Sequence, residues 1–498
     1  MSNIWARKSL AAILEHAADT EKGLKRTLSA TNLVALGIGA IIGAGLFVRT
    51  ASAAAQAAGP AVTLSFIVAA IGCALAGLCY AEFAASVPIS GSAYAYAYIT
   101  MGELIAWIIG WALIMEYALG AATVAIAWSE YLNKLLDGAI PYAWCHSPME
   151  SIKVKETGEV LHGIMNLPAL FILLVMTMLL IRGTDKSALV NAIIVFLKVA
   201  IVLVFIFVGW QYINPVNYSP YFIPSDTPPI LDAEGNVKLS YEGFFKHGYG
   251  GVLGGAAIVF FAFIGFDAVS TTAQEAKNPG RDMPIGILGS LLVCTVLYIL
   301  FGHVLTGVAN WHDFADPTKG GEASIAYAIS TYMPGYEWLS TLVTIAILAG
   351  FSSVILVMLL GQSRVFFSMS KDGLLPEIFS HIHDKYSTPH KSNWIVFLFV
   401  AAFAAFIPGH MAGDLTSFGT LLAFVLVCLG VLIMRKNLPH MVRPFSTPMA
   451  WLVAPLGAII CLGMIVAIDV FTLKVAIGWM IVGLFIYFGY SRYHSKLN

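Results

Sequence analysis

Three ionisable side chains lie inside long apolar stretches of this sequence. Lys198 is in AIIVFLKVAIVLVF, Glu116 is in IMEYALG, and Asp267 ends the stretch FFAFIGFD. A charge in the middle of a membrane span costs roughly 2.5–3.5 kcal/mol on insertion scales, and the charges that are kept usually line ion or substrate pathways. These three residues therefore suit proton-linked movement of a solute, with a permanently bonded structural lysine as the alternative for Lys198.

Glycines weaken two of the apolar stretches. Residues 37–47 are GIGAIIGAGLF, with four glycines, and Gly265 lies in the middle of the stretch that Asp267 ends. Each glycine costs roughly 1 kcal/mol relative to alanine in a helix interior, but small residues also let membrane helices pack closely. The two weak points fall in the first and sixth predicted spans, at matching positions of two inverted five-helix halves, and such paired interruptions indicate a transporter's binding site.

The composition requires these stretches to be membrane spans. Apolar residues make up 59% and charged residues 11%, against about 25% charged in a soluble domain. A soluble enzyme is therefore excluded, and no HExxH pattern or other catalytic cluster is present. The predicted spans are 32–53, 60–87, 97–133, 166–183, 187–213, 250–275, 283–309, 336–370, 392–407, 412–434, 450–468 and 472–491.

The basic residues predict the orientation of the spans. If the N-terminus is cytoplasmic, 18 of the 27 Lys and Arg residues fall in cytoplasmic segments, eight fall outside, and Lys198 lies within a span. We therefore expect a multi-pass plasma-membrane protein with both termini in the cytoplasm. Its expected parts are a cytoplasmic segment 1–31, a first repeat 32–213, an extracellular loop 214–249, a second repeat 250–434, two further helices within 450–491 and a cytoplasmic tail 492–498.

Three motifs carry a family resemblance. The stretch GIGAIIGAGLF resembles the first-helix signature of the amino acid–polyamine–organocation transporters. Residues 263–285, FIGFDAVSTTAQEAKNPGRDMPI, and 361–376, GQSRVFFSMSKDGLLP, resemble that superfamily's sixth and eighth helices, and the sixth-helix ending is most similar to the cationic amino acid transporters and their bacterial homologues. The resemblance implies an all-α integral membrane fold of 12 transmembrane helices. It is a leucine-transporter-like 5+5 inverted repeat with helices 1 and 6 unwound, followed by helices 11 and 12.

In that family a free α-amino acid binds at mid-membrane, chiefly through main-chain atoms. By resemblance, the N–H groups that take its carboxylate belong to Ile42, Gly43, Ala44 and Gly45, where glycine allows close approach and a helix N-terminus attracts an anion. The carbonyls expected to accept from its amino group belong to Ile41, Phe261, Ala262 and Ile264. Phe263 or Phe266 would close over the substrate, and valine at position 45 would block binding.

The resemblance also assigns roles to the ionisable residues. A fifth-helix lysine takes the place of sodium in sodium-independent members of the superfamily, so Lys198 would contact the first-helix break and couple proton movement to transport. Asp267 stands where arginine–agmatine exchangers carry a glutamate, which implies gating or proton handling. Glu116 would join a proton path or meet a cationic side chain. A proton is the expected coupling ion, and no cofactor, metal site or catalytic residue is predicted.

The expected substrate is an L-amino acid, either small and neutral such as alanine or cationic such as arginine and lysine. Ala121 stands, by a gapless alignment, where arginine exchangers carry an asparagine, which favours the small neutral class. Exchange, uniport and a transporter-like sensor are the alternatives. With a net charge of −1, no nucleic acid partner is expected. Membrane lipids or sterols, a small accessory membrane protein and the oligomeric state stay open.

Charged residues also flank the spans on the predicted cytoplasmic side. Lys277 and Arg281 follow the sixth span, and Asp372 follows the eighth. Opposite charges on these two loops suggest an inner gate, and positive charge that only sets the topology is an equal alternative. Glu82, near the inner end of the second span, favours a structural bond to a nearby serine or tyrosine hydroxyl.

Overall fold

The computed structural model describes residues 4–8, 28–87, 92–153, 159–182, 187–231, 237–315, 324–383 and 388–497. Most of the predicted segment 1–31 lies outside these residues, as do 232–236 of the 214–249 loop and Asn498 of the tail. The described chain is mostly helical. Its main helices are α1 Ala30–Ile41, α2 Val62–Ser86, α3 Ser92–Thr100, α4 Glu103–Leu135, α5 Leu167–Arg182, α6 Ser187–Gly209, α7 Gly248–Val259, α8 Pro279–Val308, α9 Ser324–Tyr332, α10 Glu337–Lys371, α11 His390–Phe406, α12 Gly409–Asn437, α13 Ala450–Val466 and α14 Val470–Ile486.

The helices have the lengths and surfaces of a multi-pass membrane protein. Among the described residues, eight helical runs are long and apolar enough to cross a membrane, and four shorter apolar helices accompany them. Large apolar side chains such as Phe196 and Phe485 are each 75% exposed, whereas Glu116 is fully buried. This distribution is the reverse of a water-soluble protein, and it is the one that a hydrocarbon environment favours.

The predicted third span, 97–133, is wrong as a single helix. The structure divides it into α3 and α4 at Gly102, which has a φ of 101°. Glycine is favoured in this left-handed conformation, and a Cβ there would lie 3.0 Å from the backbone of Trp5. A close approach by the N-terminal segment therefore accounts for the break.

The helices pack around the interrupted first helix. α8 packs along both α2 and α1, and α6 also contacts α1. α10 packs against α4 and α6, while α12 packs against α4 and α13. As a result, α1 and the sixth-helix region lie inside the bundle, where a binding site would be shielded from lipid.

Two short hairpins lie in the long loops. β1 Ser151–Lys153 pairs antiparallel with β2 Val160–His162, and β3 Ile230–Leu231 pairs antiparallel with β4 Val237–Leu239. Both loops are on the same side of the bundle as the C-terminal end of α4, which we call the outer side. The opposite side, which carries segment 4–8 and the C-terminal end of α10, is the inner side.

Candidate functional site

The first helix is interrupted just after α1. α1 ends at Ile41, and Ile42 is extended, with φ −72° and ψ 107°. A π-helical turn then begins at Gly45, and the N–H of Leu46 bonds back to the carbonyl of Gly43 at 3.2 Å. Further helical turns continue this segment to Ala58, so we call it segment 45–58. The Phe47 N–H also bonds to the Gly43 carbonyl, at 3.4 Å. Because the first N–H groups of a helix have no partner within it, the donors presented here are those of Gly43, Ala44 and Gly45. π-helical turns also occur frequently at functional sites.

The sixth helix is interrupted at the matching place. α7 ends at Val259 and tightens into a 3-10 turn over Phe260–Phe263. Ile264 is then extended, with ψ 135°, and Gly265 has a φ of 115°. Residues 267–275 continue as a separate 3-10 segment. Gly265 adopts a conformation that other residues disfavour, so the break depends on that glycine.

The interruptions of the first and sixth helices contact each other directly. A Cβ on Gly45 would lie 2.2 Å from the Cα of Ala262, and a Cβ on Gly265 would lie 2.8 Å from the carbonyl oxygen of Ala40. Each interrupted helix therefore carries glycine where the backbone of the other touches it. A side chain at Gly45 would push the two breaks apart as well as occupy the space expected for substrate.

Tyr298 of α8 joins the two breaks through its hydroxyl. The hydroxyl oxygen lies 3.0 Å from the carbonyl oxygen of Ile41 and 2.9 Å from that of Ala262. Its ring is fully buried between those of Phe66 and Phe263, with centroids 5.5 and 5.3 Å away. One hydroxyl proton serves two carbonyls, so both retain capacity to accept a further bond.

All the residues predicted to bind substrate come together at this junction. They are buried, and they are Ile41, Ile42, Gly43, Ala44, Gly45, Phe261, Ala262, Phe263 and Ile264. The carbonyls predicted to bind the amino group have different partners in this structure. Tyr298 donates to those of Ile41 and Ala262, and that of Phe261 accepts the N–H of Ile264 at 3.3 Å. Their contact with substrate stays a prediction.

The two aromatic rings expected to close over the substrate are packed into the bundle. The ring of Phe263 packs against that of Phe66, with centroids 6.2 Å apart, and against the ring of Tyr298. The ring centroid of Phe266 lies 5.8 Å from that of Tyr80 and 5.0 Å from that of Phe424. Neither ring can cover the break in this conformation without leaving these contacts.

Lys198 reaches from α6 to the first helix. Its Nζ donates to the carbonyl of Gly39 at 3.0 Å, and the residue is 2% exposed. Its side chain runs over Gly350 of α10, where a Cβ would lie 2.9 Å from the lysine Cε. The ammonium group is therefore bound to α1 just before the break. Whether it couples proton movement stays a prediction.

Glu116 and Asp267 form a buried pair of acids next to the sixth-helix break. Both are fully buried, and their carboxyl groups are close enough to share a hydrogen bond. Tyr117 donates its hydroxyl to Asp267 at 3.0 Å, and the backbone N–H groups of Gly265 and Ala268 lie close to the same carboxylate. Among the described residues no basic side chain pairs with either acid. Two neighbouring carboxylates repel each other when both are ionised, so the pair is suited to hold a proton.

An ion pair covers the first break on the outer side. Arg49, one turn beyond Gly45 and 1% exposed, donates to Asp414 of α12. Asp414 lines a cavity of about 840 Å³ that also includes Glu130 and His146. Burial lowers the pKa of His146, but its 2.8 Å contact with Glu130 outweighs burial and raises the pKa to about 9. The cavity thus leads inward to a closed, charged barrier.

Two inner-side acids have partners that the sequence did not suggest. Ser90 and the side chain of Ser92, two of the hydroxyls expected near Glu82, lie outside the described residues. Glu82 accepts two bonds from Arg435, at 3.0 and 2.8 Å, and one from the Thr447 N–H. The sequence missed this partner because it lies 353 positions away. Asp372 pairs with Lys8, whereas Lys277 and Arg281 are exposed; an inner gate between their two loops stays a prediction.

Two interrupted helices that meet inside a bundle of apolar helices are the arrangement typical of membrane transport proteins. Comparison with known families agrees with this class. The chain belongs to the amino acid permease family, whose model matches residues 28–489. The protein is therefore a transporter for amino acids and not an enzyme.

Known relatives match all or most of the chain. It is 40% identical to the branched-chain amino acid permease BcaP of Bacillus subtilis, over 100% of this chain and 99% of the relative. It is 39% identical to the methylthioribose transporter of the same organism, over 100% of both chains. It is 33% identical to the vacuolar cationic amino acid transporter 4 of Arabidopsis thaliana, over 87% of this chain and 67% of the relative.

The sequence prediction missed three members of the site. Tyr298 and Tyr117 were hidden among 20 tyrosines, and only the positions of the breaks show that their hydroxyls meet freed polar groups. Arg49 is one of the eight basic residues that the predicted topology assigns to the outside. Its position inside the predicted span 32–53 was a usable signal, because a charge within a span is costly unless it is paired.

Proposed function

We propose that this protein takes up neutral aliphatic L-amino acids across the plasma membrane by sodium-independent, proton-coupled alternating access. The reciprocal contact of the two breaks is the observation that carries the proposal, because main-chain donors and acceptors from both breaks then lie close together at one buried point. The proposed architecture has 12 membrane spans, a 5+5 inverted repeat followed by two further helices, with both termini in the cytoplasm.

The proposed substrate contacts follow from the groups that the breaks free. The carboxylate binds the N–H groups of Gly43, Ala44 and Gly45, where the partial positive charge of a helix N-terminus favours an anion. The ammonium group donates to the carbonyls of Ile41 and Ala262, which share the single proton of Tyr298. The substrate thereby completes hydrogen bonds across both breaks.

The surroundings of the break favour an aliphatic side chain. Gly43 faces Val354 of α10, where a Cβ on the glycine would lie 3.2 Å from a valine methyl. Glu116, the acid that a cationic substrate would need, is directed at Asp267. The 40% identical relative is named a branched-chain permease. We therefore place alanine and the branched-chain amino acids ahead of arginine and lysine.

A panel of ligands tests the substrate class. Purified protein is melted with alanine, valine, leucine, isoleucine, lysine and arginine, since a ligand that binds the native state raises the melting temperature. Liposome uptake then ranks the ligands that stabilise. Stabilisation by arginine or lysine alone would overturn the neutral aliphatic assignment.

Methylthioribose belongs in the same panel because a 39% identical relative is named as its transporter. It has neither a carboxylate nor an ammonium group, so binding at the two breaks as proposed predicts no stabilisation. Stabilisation by methylthioribose with none by any amino acid would replace the proposed substrate by this second candidate.

The proposed coupling residue is Lys198, since an amine that binds α1 can exchange its proton and so alter the break. Lys198→Met keeps most of the stem over Gly350 and removes the charge. We expect this change to abolish substrate accumulation driven by an inward proton gradient and to leave membrane insertion of the protein intact. The control is Lys436→Met, which removes an exposed lysine of α12. Gradient-driven accumulation by Lys198→Met liposomes would contradict the assignment.

Uptake assays with and without a proton gradient separate the alternative transport modes. A symporter accumulates substrate only while the proton gradient lasts, an exchanger needs substrate on both sides, and a uniporter only equilibrates. A sensor binds amino acids without net uptake. Replacing external sodium by choline should leave uptake unchanged, and loss of uptake in choline would contradict sodium independence.

A further inference from the structure

The break in the first helix leaves one carbonyl of α1 without its helical donor. In an unbroken helix the carbonyl of Gly39 would accept from the N–H four residues later, which is that of Gly43. However, α1 ends at Ile41, and among the described residues the N–H of Gly43 donates to no backbone carbonyl. The Nζ of Lys198 donates to the Gly39 carbonyl instead, at 3.0 Å. A side chain of α6 thus supplies the donor that the break has removed.

The position of this carbonyl makes the charge of the lysine matter. Gly39 lies in the last turn of α1, and the C-terminal end of a helix carries partial negative charge that attracts a cation. Lys198 is 2% exposed, so water screens this attraction little. The protonated amine therefore stabilises the end of α1 more than the neutral amine does.

Glycine in α1 lets α6 approach closely enough for this contact. Gly39 faces Val195, three residues before Lys198 on α6, and a Cβ on the glycine would lie 2.3 Å from a methyl carbon of the valine. A side chain at position 39 would therefore push α6 away and carry the amine with it.

Glycine in α10 leaves room for the stem of the lysine. A Cβ on the buried Gly350 would lie 2.9 Å from the Cε of Lys198, 3.2 Å from its Cγ and 3.5 Å from its Cδ. Carbon atoms pack best at about 3.5–4.0 Å, so even one methyl group at position 350 would displace the stem. We call the space between Gly39, Val195 and Gly350 the lysine slot.

The face of α10 that borders the slot also contacts the break. Val354, four residues after Gly350, lies against Gly43, where a Cβ on the glycine would lie 3.2 Å from a valine methyl. Residues four apart are neighbours on one face of a helix. A shift of α10 away from the lysine would therefore also change its contact with the break.

We propose that Gly350 is a positioning residue for transport, because its missing side chain forms the slot that directs the amine of Lys198 onto the carbonyl of Gly39. This inference rests on the proposed coupling role of Lys198. It assigns to α10 the task of fixing where the amine lies, and hence how strongly its protonation acts on the end of α1.

A double-mutant cycle of thermal unfolding in detergent tests the slot without substrate. Gly350→Ala should lower the melting temperature by roughly 2–4 °C through overpacking, although alanine is the better helix former. Lys198→Ala removes the stem, so Gly350→Ala should cost nothing in that background. The control is Gly478→Ala in α14, where an added Cβ would meet nothing within 4 Å; its effect should be the same in both backgrounds.

Uptake into liposomes tests whether the position of the amine affects coupling. Gly350→Ala should reduce gradient-driven accumulation about tenfold and shift its pH profile, whereas Gly478→Ala should keep both. Counterflow, which needs substrate on both sides and no proton gradient, should fall less. A purely structural defect would instead lower accumulation and counterflow equally and leave the pH profile in place.

Equal losses of melting temperature from Gly350→Ala with and without the lysine stem would overturn the positioning role. Unchanged melting and accumulation in Gly350→Ala would overturn it as well. If Gly350→Ala does not fold, the yield of folded protein is compared instead: recovery in the double variant with Lys198→Ala supports the slot, and no recovery overturns it.

The same experiments separate the slot from the proposed coupling. Gradient-driven accumulation by Lys198→Met, combined with a melting cycle that depends on the lysine stem, would reject proton coupling through Lys198 and keep the slot. Loss of accumulation in Lys198→Met without any interaction in the melting cycle would keep the coupling and reject the role of Gly350.

Discussion

Replacing Tyr298 by phenylalanine tests the junction of the two breaks most directly. The change removes one hydroxyl and keeps the ring in its contacts with Phe66 and Phe263, 5.5 and 5.3 Å away. The carbonyls of Ile41 and Ala262 then lose their shared donor. An unsatisfied buried acceptor costs about 1–3 kcal/mol, so the free energy of unfolding should fall by about that amount.

The assay is thermal unfolding in detergent with and without a transported amino acid. Tyr212→Phe is the control, because it removes a hydroxyl that donates to the exposed carbonyl of Pro334 at 3.3 Å, and such surface changes stay within about 0.5 kcal/mol. If the substrate ammonium uses the carbonyls at the breaks, it supplies the missing donor, and the amino acid should stabilise Tyr298→Phe more than the parent chain. Equal stabilisation of both would refute this use of the carbonyls.

Removing one partner of the buried Arg49–Asp414 pair should cost about 3–5 kcal/mol, because the other charge is left buried alone. Melting of Arg49→Met, Asp414→Asn and the double variant tests this, and strictly additive losses would argue against a direct pair. The pKa of His146, about 9, lies above the unfolded value near 6.5, so its contribution to stability is complete below pH 6.5 and is lost as the pH rises to about 9. His146→Gln should therefore remove up to about 3 kcal/mol of pH-dependent stability, and exposed His440→Gln should not; identical pH profiles for the two variants would contradict the ion pair with Glu130.

The sequence predicted the parts of the fold that depend on local composition. Apolar length located the helices, usually within a few residues, and the glycines of 37–47 together with Gly265 located both interruptions. The division at Gly102 escaped prediction because its cause is a contact with Trp5, almost 100 positions earlier. Local patterns indicate where a helix is weak, but only tertiary contact decides which weak point breaks.

The candidate site was predictable to the same extent. Main-chain residues around the breaks could be named, since an unwound segment exposes its own N–H and C=O groups. The side chains that satisfy those groups could not, because Tyr298 and Tyr117 come from other helices and resemble many tyrosines that only pack. Glu82 was expected to have a local partner for the same reason, whereas Arg435 reaches it from α12.

The hydrogen bonds at the breaks also bear on what kind of ligand fits them. The freed carbonyls of Ile41 and Ala262 already share a donor in Tyr298, and the N–H groups of Gly265 and Ala268 lie close to the carboxylate of Asp267. The N–H groups of Gly43, Ala44 and Gly45, just ahead of the turn that Leu46 and Phe47 close, have no acceptor within that helix. A ligand therefore improves this site most by bringing a negative charge to the first break. That requirement favours a carboxylate, and hence an amino acid, over an uncharged sugar such as methylthioribose.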